Sequence, residues 1–257
     1  MLSKIKFTNG YSSYIDPVIY HKKGNLTIKN CSFTNIEAFY GEVIYSDKGN
    51  LHVSKCNFKN NTASNGGAIR TESKTTVNEC TFTNNRADSG GAIYAGRTTL
   101  TVKNSIFTNN KAEDSGAIYT FAKSTVSGCT FNNNKATNNE GYISDGGAIS
   151  IFAKSTVNKC TFKNNQAKDC GGAIQVSDNT VISESTFTNN KAKKGGAIFA
   201  SKEGQNGYIS ITLKINNSKF KNNIAGKVYN AIYKQAKCKL TKKNVKISPK
   251  DGSKVKK

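Results

Sequence analysis

A repeat of about 25 residues runs through nearly the whole chain and constrains its fold more than any other feature. The unit is an apolar residue followed by Cys-x-Phe-x-Asn-Asn-x-Ala, a short polar link and Gly-Gly-Ala-Ile. Most steps are 24 to 26 residues, and the two longer ones contain insertions near 137–144 and 203–210. The anchoring phenylalanines are Phe7, Phe33, Phe58, Phe82, Phe107, Phe131, Phe162, Phe187 and Phe220. A period of this length is typical of solenoids, in which each repeat forms one coil stacked on the next.

Positions counted from each phenylalanine hold the same kind of residue along the chain. The fifth residue after it is alanine from Ala38 to Ala225, and the fifth residue before it is β-branched. The β-branched column is Ile28, Val53, Val77, Val102, Val126, Val157, Ile182 and Ile215. Helix formers are scarce in the unit, whereas Thr, Val, Ile and Asn dominate it. The chain is therefore predicted to be all-β, a parallel β-helix of about nine to ten coils of ~24 residues with three β segments each.

Asparagine and glycine pairs mark the predicted corners of each coil. Asn60-Asn61 follows one phenylalanine and Gly66-Gly67 precedes the next isoleucine, and both patterns recur. Asparagine tolerates left-handed backbone geometry, and stacked amides can bond to one another along a ladder. Glycine permits positive φ at the second corner. The β-helix is predicted to cover residues 1–247, with atypical first and last coils that could act as caps.

The charge balance is strongly basic. Lys and Arg number 38 against 16 Asp and Glu, and only Arg70, Arg86 and Arg97 are arginines. A lysine excess favours loose attraction to anionic surfaces over the paired contacts that arginine makes with bases and phosphates. Residues 248–257 are predicted to be a basic, disordered tail. No apolar run reaches the ~18 residues of a membrane helix, and no secretion signal is readable, which is compatible with a fragment of a longer protein.

Two motifs of the repeat carry a family resemblance. Phe58-Lys59-Asn60-Asn61 with Gly66–Ile69, and Phe187–Asn190 with Gly195–Ile198, pair Phe-x-x-Asn with Gly-Gly-Ala-Ile. This pairing resembles the repeat of chlamydial polymorphic outer-membrane proteins, and the Lys/Asn-rich chain is similar to adhesin-like surface proteins of methanogenic archaea. The resemblance implies a right-handed β-helix displayed at the cell surface or outside the cell, with a role in cell adhesion. It transfers no catalytic residue.

Seven cysteines raise the question of disulfides or a metal site. Five occupy one inward column, in which serine replaces cysteine at three coils: Cys31, Cys56, Cys80, Cys129 and Cys160. No Cys-x-x-Cys spacing supports zinc, and parallel side chains fit disulfide geometry poorly. A buried stack of reduced thiols is the favoured interpretation, with no metal and no cofactor. Cys170 and Cys238 lie off the column.

Four carboxylates are the best candidates for catalysis or calcium binding. Asp88, Asp114, Asp145 and Asp169 precede the glycine corner on successive coils. Carboxylates one coil apart would lie ~5 Å from each other, which suits retaining glycoside hydrolysis. Asp before Gly is also ordinary turn chemistry, and no His or Arg accompanies these residues regularly. The expectation is that the protein is not an enzyme.

An aromatic column is the most informative surface feature. The residue after each inward isoleucine should face outward, and six of nine such positions are aromatic. The candidate ligand-binding residues are Tyr20, Tyr45, Tyr94, Tyr119, Phe199 and Tyr233. Such a column could form a flat platform for sugar rings or a partner protein, or it could only stabilise its own sheet.

These observations predict a non-enzymatic adhesin or structural segment. Its expected partners are a cell-surface glycan or anionic polymer, and other surface proteins, without specific nucleic-acid recognition. One alternative is a carbohydrate-active β-helix enzyme, either a lyase or a hydrolase. Another is the stalk of a trimeric fibre or spike, since the sequence leaves the oligomer open.

Overall fold

The computed structural model describes residues 1–12, 16–38, 41–138, 146–201, 210–226, 231–235 and 237–248. Within these residues every regular element is a β-strand, and all strand pairs are parallel. Strands from successive coils pair side by side, so the described chain forms four sheets of ten, ten, nine and nine strands along one solenoid. The predicted right-handed parallel β-helix is confirmed, with about nine turns. The predicted tail beyond Ser248 lies outside the described residues.

Sheets 1 and 2 hold the apolar column and the phenylalanines respectively. The strands of sheet 1 are Leu2–Ser3, Asn25–Lys29, Asn50–Ser54, Lys74–Asn78, Thr99–Lys103, Lys123–Ser127, Ser155–Asn158, Thr180–Ser183, Ile211–Asn216 and Cys238–Lys243. The strands of sheet 2 are Lys6–Thr8, Ser32–Thr34, Asn57–Lys59, Thr81–Thr83, Ile106–Thr108, Thr130–Asn132, Thr161–Lys163, Thr186–Thr188, Lys219–Lys221 and Lys246–Ile247.

Sheets 3 and 4 hold the alanines and the isoleucines. The strands of sheet 3 are Tyr11–Ser12, Glu37–Ala38, Thr62–Ala63, Arg86–Ser89, Lys111–Asp114, Lys135–Ala136, Gln166–Ala167, Lys191–Ala192 and Ile224–Ala225. The strands of sheet 4 are Ile19–His21, Ile44–Ser46, Ile69–Thr71, Ile93–Ala95, Ile118–Thr120, Ile149–Ile151, Ile174–Val176, Ile198–Ala200 and Ile232–Lys234.

The prediction of three β segments per coil is wrong, because the segment that contains the alanine column forms a sheet of its own. The first asparagine of each pair, such as Asn60 with φ 55°, turns the chain through a corner. Two to four residues then pair with the neighbouring coils, as Thr62↔Glu37 and Thr62↔Arg86 show. Segments this short give little periodic signal, so sequence alternation alone does not separate them from the turn.

The phenylalanine column forms the centre of the core. In-register pairs such as Phe58↔Phe82 place the rings one above another, with centroids 4.8 Å apart and planes 3° from parallel. Phe33 to Phe187 are fully buried. The rings therefore stack at the spacing of the strands themselves, ~4.8 Å, so the sheet register sets the ring contacts.

The two asparagines of each pair have separate tasks. The first adopts the left-handed backbone of the corner, whereas the second is completely buried. The side chain of Asn85 donates to Phe58 O and to Asn110 Oδ1, each at 3.0 Å, and its own Oδ1 accepts from Asn61. The same pattern runs along the column from Asn61 to Asn190. Each buried amide thus has partners in the neighbouring coils, which removes the free-energy penalty of burying it.

The two glycines of the second corner also differ. The first, such as Gly66, has a positive φ of +64°. At the second, a Cβ on Gly67 would lie 2.3 Å from Gly91 O of the next coil. The first position favours glycine for its dihedral angle, although Ser115 takes the same place with φ 61°, and the second requires glycine because neighbouring backbones approach closely.

The cysteines of the described residues are buried, and none of them forms a disulfide. In the inward column the Cys31 N–H points to Cys56 Sγ at 3.4 Å, and the Cys56 thiol lies 3.2 Å from Ser54 O. Ser105 takes the same place, where its hydroxyl accepts from the Cys80 N–H and donates to Lys103 O. The hydrogen bond between the two thiols favours the ionised form of Cys56 and the protonated form of Cys80. It therefore lowers the pKa of Cys56 to about 7, and together with burial it raises the pKa of Cys80. The column acts as a hydrogen-bonded thiol and hydroxyl ladder inside the core.

Candidate functional site

The candidate site lies on the outer face of sheet 4, where the residue after each isoleucine points away from the core. Five of these residues from consecutive coils line up in register, and we call them the aromatic row. They are Tyr20, Tyr45, Arg70, Tyr94 and Tyr119. Tyr20 is 53% exposed and the other four are partly exposed. The row therefore places four predicted site residues together on an accessible surface.

Stacking holds the aromatic row together. Tyr20 and Tyr45 have ring centroids 5.5 Å apart and planes 5° from parallel, and Tyr94 and Tyr119 stack at 5.6 Å. The Arg70 guanidinium fills the gap between the two pairs, 5.1 Å from the centroid of Tyr45 and 5.9 Å from that of Tyr94. A cation over an aromatic face is attractive, so the row is continuous over five coils.

The stacking also decides what the row presents to a partner. Rings that stack coil upon coil cover each other's faces, so the side turned to solvent consists of ring edges and phenol hydroxyls. This differs from the flat platform that the sequence predicted. A partner would meet a line of hydrogen-bonding hydroxyls on an apolar edge, which suits polyhydroxylated or peptide ligands.

Arg70 is fixed by a carboxylate from the preceding coil. Its guanidinium donates to Glu42 Oε1 at 2.7 Å, and Glu42 is almost completely buried. Burial acts to lower the pKa of Arg70, but the hydrogen bond and charge of Glu42 outweigh it and raise that pKa. The pair therefore locks a permanent positive charge into the middle of the row.

Two phenols of the row, those of Tyr45 and Tyr94, have raised pKa values. Burial raises the pKa of Tyr45 above its ordinary value of 10.0, although the charge of Arg70 opposes the shift. Burial and the charge of Glu72 raise the pKa of Tyr94 in the same way. At neutral pH both phenols can therefore donate as well as accept hydrogen bonds.

Two further rings extend the patch, and the sequence analysis missed them. Phe121 meets Tyr119 edge to face at 5.3 Å and 77°, and it stacks on Phe152 at 4.8 Å. Phe121 is 46% exposed, so it adds apolar surface next to Tyr119. Its position two residues after Tyr119, just beyond the end of strand Ile118–Thr120, was a signal, because the alternation of the strand continued by one residue puts both rings on the same side.

Phe199 does not belong to the exposed surface, and the expectation that it faces solvent is wrong. It is 0% exposed, and Ser150 and Gln175 of the same register column are also fully buried. The strand Ile198–Ala200 is buried throughout, whereas Ile93–Ala95 alternates. Alternation fixes which face a side chain takes, but it does not determine whether that face is covered. Tyr233 stacks on Phe199 at 5.3 Å and is partly exposed, away from the aromatic row.

The four candidate carboxylates take different roles where they are described. Ser89, not Asp88, pairs in register with Asp114, so these two carboxylates are staggered. Asp114 accepts from Asn138 Nδ2 at 2.9 Å, and Asp169 pairs with Lys193 at 3.4 Å. Asp145 lies outside the described residues. Among the described residues no group of three or more His, Cys, Asp or Glu side chains is placed to hold a metal.

The absence or presence of membrane-spanning helices and the similarity to known families both bear on the class of this protein. In the part that the structure describes, no helix has the length and hydropathy needed to cross a membrane. A family model described as the Chlamydia polymorphic membrane protein repeat matches residues 159–177 and 184–201. The chain has no match among curated proteins or solved structures. A second family model, described as the right handed beta helix region, matches residues 3–156, which is more than half of the chain. Both the fold and this match show that the chain belongs to the right-handed beta helix family.

Proposed function

We propose that this chain is a non-enzymatic, adhesin-like protein of the cell surface, and that the aromatic row is its contact site for a surface glycan or protein. Two matches to the Chlamydia polymorphic membrane protein repeat are consistent with an adhesin-like surface protein. A solenoid suits this role, because its stacked coils form a long, rigid face on which equivalent residues repeat at a constant spacing. The proposed location is the cell surface or the extracellular space.

The observation that carries the proposal is the continuous, solvent-accessible aromatic row with Arg70 at its centre. Single exposed apolar residues are ordinary, but contiguous aromatic surface marks interaction sites. Tyrosine and arginine are also enriched among residues that dominate binding energies. Because stacking already orders these side chains, binding would lose little side-chain entropy.

Binding without catalysis is part of the proposal. The row supplies hydroxyls and one fixed guanidinium, whose charge is paired with the Glu42 carboxylate. The test is direct, because release of reducing ends or unsaturated products from a bound polysaccharide would overturn this part. If such cleavage occurred and disappeared in Asp114→Asn, the carbohydrate-active alternative would replace it.

The decisive experiment replaces two central rings of the row. Tyr94→Ser with Tyr119→Ser is compared with the parent chain on a glycan array and on intact cells. Tyr11→Ser is the matched control, because Tyr11 is 69% exposed but lies on sheet 3. We expect the double variant to lose binding at least about tenfold, as loss of central contact residues does, while the control retains it.

Salt separates this proposal from general attraction to a basic protein. With +22 formal charge, the chain could associate with anionic surfaces through lysines alone. Such association would survive the serine changes and weaken steeply as the Debye length falls below about 10 Å. Undiminished binding by the double variant, with loss only at high salt, would remove the aromatic row as the contact site.

A further inference from the structure

Sheet 3 carries a second ordered surface that is distinct from the aromatic row. The first residue of each sheet-3 strand points outward, and four of these residues are cations, which we call the cation column. They are Arg86, Lys111, Lys135 and Lys191, all exposed. Arg86 pairs in register with Lys111, and Lys111 with Lys135. Gln166 then separates Lys135 from Lys191.

This arrangement is electrostatically unfavourable in the free protein. Like charges directly opposite each other on neighbouring strands destabilise a sheet. Other lysines face acids on the adjacent coil, as Lys55 with Glu79 and Lys159 with Glu184 show, and Lys219 opposite Lys246 in sheet 2 is a like-charge pair outside the cation column. Within the described ranges, by contrast, no ion pair joins any member of the cation column to an acid.

The positive charge becomes stronger toward the C-terminal coils. Asp88 and Glu113 lie two residues after Arg86 and Lys111, so acids flank that end of the column. In the later coils Lys168 and Lys193 occupy the matching positions instead. They line a shallow groove of about 260 Å³ together with Lys191 and Gln166. Asp169, which pairs with Lys193 at 3.4 Å, offsets only one of these charges.

We propose that the cation column and this groove bind a linear acidic polysaccharide that runs along the solenoid axis. Four coil spacings of about 4.8 Å separate Arg86 from Lys191, so the column spans about 19 Å. A chain with carboxylate or sulfate groups along its length would neutralise several cations at once and relieve their mutual repulsion. Proteins that bind single-stranded nucleic acid add aromatic stacking platforms to such charges, and none lines this groove.

The experiment compares two variants of equal charge. The column variant carries Arg86→Gln, Lys111→Gln, Lys135→Gln and Lys191→Gln. The control variant carries Lys29→Gln, Lys59→Gln, Lys103→Gln and Lys163→Gln, which are exposed lysines whose in-register neighbours are uncharged. Each variant loses four positive charges and falls from +22 to +18. The probes are labelled polygalacturonate, dextran sulfate and oligothymidylate, each titrated at several salt concentrations.

We expect the column variant to bind the polysaccharides at least about tenfold more weakly, with a shallower salt dependence, because fewer counterions are released. Its thermal unfolding midpoint should rise, since the repulsion is gone, and the control variant should change little in either respect. Equal loss in both variants would overturn the proposal in favour of diffuse charge. Tighter binding of oligothymidylate than of the polysaccharides would overturn it in favour of nucleic acid. Neither outcome bears on the proposed role of the aromatic row, which Tyr94→Ser with Tyr119→Ser tests separately.

Discussion

The outer face of sheet 4 has two halves that share one sequence pattern but differ in solvent exposure. In the N-terminal half Tyr20 to Tyr119 form an accessible row, held by stacking and by the Glu42–Arg70 pair. In the C-terminal half Ser150, Gln175 and Phe199 occupy the same register positions and are fully buried. An outward position on a solenoid is therefore not the same as a surface position, and the continuous accessible row is confined to the N-terminal half, although Tyr233 in the last coil is also partly exposed.

The largest effect should come from truncating the buried half. Phe199→Ala should lower the free energy of unfolding by about 3–5 kcal/mol, because it removes a large, fully buried side chain. Tyr20→Ala is the matched change in the exposed half and should cost under about 1 kcal/mol. Chemical denaturation of both variants measures the difference. Equal, small losses would mean that Phe199 is not covered.

The ion pair in the exposed half should give the next largest effect. Arg70→Gln leaves the carboxylate of Glu42 buried without its partner and should cost about 2–3 kcal/mol, less than breaking a fully buried pair. Arg97→Gln is the control, because Arg97 is 86% exposed and lies 3.7 Å from Glu72, and it should cost under about 0.5 kcal/mol. Adding Glu42→Gln to Arg70→Gln should restore part of the loss in equilibrium unfolding.

Enlarging a side chain in each half tests the same comparison by overpacking instead of truncation. Gln175→Tyr continues the aromatic row into the buried half, where overpacking should cost about 1–3 kcal/mol. Tyr94→Trp enlarges a ring in the exposed half and should change the free energy of unfolding by under about 0.5 kcal/mol. Denaturant midpoints of the two variants report the difference. If Gln175→Tyr destabilised the protein no more than Tyr94→Trp, the buried half would have space for a larger side chain. That result would contradict the tight packing inferred from the zero exposure of Gln175.

The smallest effect should be a pH dependence that belongs to the exposed half. The raised pKa values of Tyr45 and Tyr94 mean that the folded state holds these protons more tightly than the unfolded state, whose phenols titrate near 10.0. The corresponding stability is fully present below that pH and is lost as pH rises through the folded-state values. Unfolding midpoints across the alkaline range should fall, and the fall should be shallower in Tyr45→Phe with Tyr94→Phe. Parallel curves would contradict the assignment.

The repeat determined most of the fold by itself. Apolar, cysteine, phenylalanine, alanine and isoleucine columns can all be buried only if each repeat makes one coil, and parallel in-register stacking follows from their identity. The asparagine pair, with Asn60 at the corner and Asn61 in the amide ladder, shows how local backbone preference and burial agree. The sequence also placed Tyr20, Tyr45, Tyr94 and Tyr119 on one outer column.

Tertiary structure decided what the columns present. Stacking turned the tyrosine faces toward each other, Arg70 closed the gap between two pairs, and Phe121 and Phe152 extended the patch. It also buried Phe199 and set Arg86, Lys111 and Lys135 opposite one another on neighbouring coils. The physical reason is that the two kinds of feature depend on interactions over different separations along the sequence. Alternation and turn preference act over a few residues and can be read from the chain, whereas ring stacking and charge opposition depend on coils about 25 residues apart in sequence.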